Sequence, residues 1–221
     1  MKLHRKAGLV AGAVALIATA LYTVPSANAA NASWNGPAPA IKGAVSGGTL
    51  NILNQGDFEH IDPARNYVGG TLDFYRFFVR TLTQYRTING KTELVPDLAS
   101  DLGTTKDGGK TWVFKLRQGL KYEDGSAVQC ADLNYGVSRA YEQDILDGGT
   151  PYADQFLENL NEYKGPYTTP DKTLNSVVCS PKGDSVTFKL KNAVPYFPYV
   201  TTFGAFTTIP DAAGQSKPHD V

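Results

Sequence analysis

Residues 94–117 read LVPDLASDLGTTKDGGKTWVFKLR. Trp112, Phe114 and Leu116 alternate with Val113, Lys115 and Arg117, so an extended strand here can bury one face and wet the other. The strand is entered through Asp107-Gly108-Gly109-Lys110, a turn in which glycine accepts backbone angles other residues avoid. Upstream, Leu94 to Leu98 places apolar groups around Pro96, whose ring fixes φ. Downstream, Asp124-Gly125 reverses the chain again. Asp132 then stands in the first turn of a helix expected over 131–141, where a carboxylate complements the positive helix end.

Working outward, residues 49–54 alternate polar and apolar and predict a strand. A loop follows through Asp62-Pro63 to Gly69-Gly70. From Leu72 the apolar side chains Phe74, Tyr75, Phe77, Phe78, Val79 and Leu82 approximate a helical stripe. Residues 83–94 predict a strand pair turning at Asn89-Gly90, a dipeptide that tolerates the positive φ of tight hairpins. Residues 174–178 and 186–191 flank Pro181-Lys182-Gly183-Asp184 as a second hairpin. Residues 195–200 predict a short aromatic helix and residues 206–209 a strand. This is a mixed α/β pattern, a sheet with antiparallel hairpins, and not a regular βαβ series.

The first residues are an address. Lys2, Arg5 and Lys6 precede an apolar run over 7–24, then Pro25, Ser26 and Ala27-Asn28-Ala29. That order is a secretory signal peptide with an A-x-A cleavage site, so 1–29 is expected to be removed. The 18-residue run is just long enough to span a bilayer as an uncleaved anchor, but Pro25 beside the A-x-A site decides for cleavage. No cysteine follows the apolar run, so a lipid anchor is not expected. Residues 30–48, rich in Ala, Pro, Gly and Ser, form a flexible leader. The chain balances 21 Lys+Arg against 21 Asp+Glu. Removing three basic residues and no acid leaves a mature charge of −3, which argues against a nucleic-acid binder. Cys130 and Cys179 are the only cysteines, and in an oxidising compartment such a pair forms one disulfide; two separate buried thiols are the alternative.

Reactive chemistry is hard to find. The mature part carries only His60 and His219, in no metal-ligand spacing, and no G-x-S-x-G elbow. Gly109-Lys110-Thr111 echoes the end of a phosphate-binding loop, but position 104 is Thr and the turn enters a strand instead of a helix. Asp144, Asp147, Glu158 and Glu162 are scattered acids that read as a solvated face. With 12 Tyr, 10 Phe and 2 Trp, the composition leans instead toward stacking surfaces.

The ordered motifs Pro96 to Ala99, the Asp107 to Lys110 turn, Phe114 to Arg117, the Asp124-Gly125 turn and Ala131-Asp132-Leu133 resemble the family 5 extracellular solute-binding proteins. The opening at Gly48-Thr49-Leu50 and Ile61-Asp62-Pro63-Ala64 is similar to that family too. These are the oligopeptide-, dipeptide- and nickel-binding components of ABC importers. The resemblance runs over roughly 47–210. It implies a type II periplasmic-binding-protein-like fold of two lobes closing on a solute, with 49–221 an incomplete N-terminal lobe. Full-length members are much longer, and the acidic residue that often pairs with a peptide's α-amino group would lie in the lobe beyond Val221.

The resemblance implies a non-catalytic, cofactor-free protein, secreted or extracytoplasmic, that binds a peptide or small-molecule solute. Its partners would be ABC permease membrane subunits. Ligands of open α/β sheets collect beyond strand ends, so the loop after the first strand offers Gln55, Asp57, Phe58 and Tyr67 as contacts. Phe58 and Tyr67 would stack, and Gln55 and Asp57 would bond polar groups; the alternative for each is a packed or solvated loop residue. Asp62 is expected to cap a turn before Pro63. A secreted hydrolase, a sensor or adhesion module without transport, and a truncated product stand as rival readings.

Overall fold

The computed structural model describes residues 41–54 and 56–210. The signal peptide, residues 30–40 of the leader, Gln55 and His219 lie outside the described residues. The order is α1 (Gly69–Tyr75), β1 (Thr83–Ile88), β2 (Lys91–Pro96), β3 (Thr111–Lys115), α2 (Cys130–Arg139), α3 (Tyr152–Phe156), β4 (Val177–Cys179), β5 (Ser185–Lys189) and α4 (Phe197–Val200). A 3-10 turn over Gly204–Phe206 follows.

β1 and β2 pair antiparallel from Thr83 opposite Pro96 to Ile88 opposite Lys91. The connection is Asn89 at φ 51° and Gly90 at φ 76°, both positive as a two-residue hairpin loop requires. The second sheet has the order β3-β5-β4, again antiparallel. In β3, Trp112 and Phe114 are buried while Val113 and Lys115 face out. The Trp112 Nε1–H donates to the Gly109 carbonyl at 3.2 Å and the Val194 carbonyl at 3.1 Å, so the indole is buried without leaving a donor unmet. The turn before β3 closes on Asp107, whose Oδ1 accepts from the backbone N–H of Thr111 at 2.8 Å and of Lys110 at 3.0 Å. Those donors hold its carboxyl down at about 2. The phosphate-loop echo is a hairpin turn.

α2 buries Leu133, Val137 and Ala140, spaced to share one face. Its start is capped by Asp132, whose Oδ2 accepts the Gln129 N–H at 2.7 Å. Cys130 at the head of α2 is bonded to Cys179 at the end of β4, 49 residues apart. Closing a loop of that length stabilises by about 4 kcal/mol in the chain-entropy treatment. The core lies between α2, β3, β5 and α4, where Phe114, Phe188, Phe197 and Phe206 are fully buried.

Three expectations need correction. Residues 49–54 form no strand: Leu50, Ile52 and Leu53 are 76, 57 and 99% exposed. No ladder among the described residues reaches them, and an unpaired strand gains nothing over water. The α1 helix runs Gly69–Tyr75, three residues earlier than the apolar stripe suggests, and Phe77 and Phe78 are left exposed in the turn after it. The chain must leave the helix there to enter β1, where Thr83 Oγ1 donates to the Pro198 carbonyl at 2.6 Å. Residues 206–209 contribute only an isolated bridge, Thr81 with Thr207, because the backbone there lies on α2 instead: Ile209 N–H donates to the Asp132 carbonyl at 3.1 Å. α3 was not foreseen at all.

Candidate functional site

The Asp62-Pro63 turn is where the site begins. Asp62 Oδ1 caps the Ala64 N–H at 2.8 Å, as a turn-capping carboxylate should. The same carboxylate also forms a bidentate pair with Arg139 at the end of α2, at 3.0 and 2.7 Å, both side chains fully buried. The turn carbonyl of Asp62 accepts the Tyr75 hydroxyl at 2.8 Å. Burial, and after it the Asp62 charge, raises the Tyr75 phenol well above its ordinary value. Asn66 then ties the loop to itself, donating to the His60 carbonyl and accepting from the Val68 N–H, each at 2.8 Å.

That loop delivers Tyr67 to the surface, 45% exposed. Its hydroxyl bonds the hydroxyl of Tyr152. The Tyr67 ring stands edge-on to Tyr152 at 5.6 Å and to Phe203 at 5.8 Å. Tyr152 meets Phe203 at 4.7 Å and Phe156 at 6.0 Å, and Phe156 meets Tyr196 at 6.4 Å. Five rings from four chain segments thus make one continuous ridge, half-buried at Tyr152, Phe156 and Phe203 and open at Tyr67 and Tyr196. The Tyr67 hydroxyl, and after it partial burial, holds the Tyr152 phenol above its ordinary value. Two ion pairs flank the ridge: Arg65 with Asp147 at 2.8 Å, and Lys191 with Asp154 at 3.4 Å.

The contacts expected from the sequence separate into two places. Asp57 is exposed and accepts the Phe58 N–H at 3.0 Å. Phe58 stacks on Phe74 of α1 at 4.9 Å, within a second ring cluster that includes Phe77 and Phe78. Tyr67 joins the ridge. The sequence gave no warning of Tyr152, Phe156, Tyr196 and Phe203. Only the i, i+4 spacing of Tyr152 and Phe156 was a local signal; the rest is long-range assembly.

The ridge offers stacking faces and phenol hydroxyls, and no acid–base machinery. Among the described residues there is no cluster of three or more His, Cys, Asp or Glu side chains able to hold a metal ion. No helix among them is long and apolar enough to cross a membrane. A separate groove of about 450 Å³ runs between α2 and β4, lined by Asn134, Tyr135, Tyr163, Lys172 and Cys179 among others.

Comparison with known proteins places this geometry. Residues 93–220 match the bacterial extracellular solute-binding proteins, family 5. Over 128 residues the chain is 30% identical to the oligopeptide-binding protein OppA of Bacillus subtilis (strain 168), covering 55% of this chain and 22% of that protein. It superposes on clavulanic acid biosynthesis oligopeptide binding protein 2 with a TM-score of 0.67 and 34% identity, over 75% of this chain and 31% of the other. Listeria monocytogenes OppA bound to peptide shares the fold, with a TM-score of 0.55 at 16% identity over 69% of this chain and 28% of that one. The chain therefore spans about a quarter to a third of the relatives it matches. Over the part covered, the fold is that of the type II periplasmic binding proteins. The chain belongs to the family 5 bacterial extracellular solute-binding proteins.

Proposed function

We propose that this chain supplies one wall of a cleft that binds a peptide non-covalently and presents it to an ABC importer permease. The observation that carries the reading is the ridge of Tyr67, Tyr152, Phe156, Tyr196 and Phe203, an apolar surface kept in ordered ring-to-ring contact yet left open to solvent. Rings held this way bury apolar and aromatic side chains of a ligand, and their hydroxyls bond its main chain. The names of the relatives, oligopeptide-binding protein among them, support a peptide over other solutes.

In this reading residues 1–29 direct secretion, residues 30–48 are a leader, and residues 49–221 build the N-terminal lobe. The opposing wall corresponds to the length of the relatives this chain does not cover. Closure of two walls would expel water from the solute, and the permease would recognise the closed form. Asp57, Phe58 and Gln55 would form a second contact group beside α1. Binding needs no covalent step, so the protein returns unchanged after release.

Titration calorimetry with short peptides tests this. A peptide carrying aromatic side chains is expected to bind, and Tyr152→Ala or Tyr67→Ala to weaken it by about tenfold, as truncation of an aromatic anchor does. Peptide turnover that disappears on replacing one Ser or His would overturn the reading in favour of a hydrolase.

A further inference from the structure

We propose that the buried Asp62–Arg139 pair is a positioning latch for the aromatic ridge, acting on solute affinity from beneath the surface. The proposal rests on the ridge being the solute-contacting face. Asp62 and Arg139 are 77 residues apart, and neither side chain is exposed. Replacing such a pair by well-packed apolar residues is often neutral or stabilising, so stability alone is a weak reason to bury it, whereas fixing one geometry is a better one. Arg139 sits at the rigid end of α2, with its Nε donating to the Tyr167 hydroxyl at 3.3 Å. The guanidinium therefore holds the Asp62 carboxylate in one orientation through a planar fork.

What lies on the carboxylate side makes the pair a hub. Each of the three central rings of the ridge is attached, within a few residues, to backbone touching the 62–65 turn. Tyr67 leaves the turn directly. Tyr152 follows Gly148 and Gly149, and a Cβ at those positions would stand 2.7 Å from the Arg65 carbonyl oxygen and 2.0 Å from that of Ala64. Phe203 precedes Gly204, where a Cβ would stand 3.1 Å from the Pro63 carbonyl oxygen. Glycine lets each strand of the assembly approach the turn closely. Rotation or loosening of the turn would move all three rings relative to one another. The loop bearing Tyr67 has no regular ladder of its own, so the buried pair and the Tyr75 hydroxyl define where it sits.

The test uses the full chain with two readouts. Nuclear Overhauser contacts between the Tyr67 and Tyr152 rings report ridge geometry, and calorimetry reports affinity for the tripeptide Phe-Ala-Phe. Asp62→Asn keeps the turn-capping oxygen and removes the charge; Arg139→Lys keeps the charge and removes the fork. In variants whose circular dichroism stays native, the ring contacts should fall by at least half and affinity by about tenfold. Ring contacts of wild-type intensity in either folded variant overturn the latch, because a purely structural pair would lower the melting temperature and leave the folded ridge unmoved. Should neither variant fold, Tyr75→Phe removes one hydroxyl from the same turn and is judged by the same contacts. If Phe-Ala-Phe fails to bind the wild type while the ring contacts are lost in the variants, the latch stands and the peptide reading falls.

Discussion

Two sets of aromatic side chains in this protein have the same spacing and opposite surroundings. In the interior, Phe188 lies 5.4 Å from Phe197, 5.9 Å from Phe114 and 5.9 Å from Phe206. On the ridge, Tyr152 lies 4.7 Å from Phe203 and 5.6 Å from Tyr67. Ring–ring attraction is therefore similar in both. The interior set presents only carbon apart from the satisfied Trp112 N–H, and protein closes over it. The ridge carries phenol hydroxyls and meets water on its outer side. Apolar area held in order and left uncovered does not serve the stability of the chain that carries it, and such area marks binding surfaces.

The comparison is broken most directly at Phe188, which is fully buried. Phe188→Ala should lower unfolding free energy by about 3–5 kcal/mol, from lost burial and the cavity left behind, measured by urea denaturation. A loss near zero would mean the interior set is not the core. Gly136→Ala comes next. Alanine in a helix interior ordinarily gains up to about 1 kcal/mol over glycine. Here a Cβ would stand 2.3 Å from the Thr207 carbonyl oxygen, so the variant should instead lose about 1–3 kcal/mol as overpacking does.

A smaller effect sharpens the contrast through pH. Burial, and after it the Glu142 carboxylate, pushes the buried Tyr163 phenol up to about 12 from an ordinary 10.0. A pKa higher in the folded state leaves stability complete below pH 10.0 and removes it as pH rises from there toward 12. Melting temperature should hold up to pH 10 and fall above it, and Tyr163→Phe should flatten that fall. The smallest expected change is at Tyr152, where Tyr152→Ala should cost under about 1 kcal/mol of stability while weakening peptide binding. A loss as large as that of Phe188→Ala would make the ridge part of the core.

Most of the hairpin framework was legible because its signals are local. Asn89-Gly90 needs positive φ at both residues, the Asp107 turn needs glycine behind it, and the alternation of Trp112 and Phe114 with Val113 and Lys115 gives the buried face of β3 directly. Residues 49–54 carried the same kind of alternation and formed no strand. Periodicity reports which face could be buried, and whether a neighbouring strand exists to pair with it is not a local property. Asp62 was read as a turn cap, which it is, but its partner stands 77 residues away. Of the ridge, only Tyr67 was anticipated.

By itself, the amino-acid sequence determined the turns, the capped start of α2, the hairpin faces and the membership of the family, because these depend on residues adjacent in the chain or on their order. Tertiary structure alone decided that Tyr67, Tyr152, Phe156, Tyr196 and Phe203 form one surface and that Asp62 meets Arg139 in the interior. Side chains dozens of residues apart meet only after glycines such as Gly149 let separate backbones approach within contact distance, and no local pattern encodes which backbones those will be.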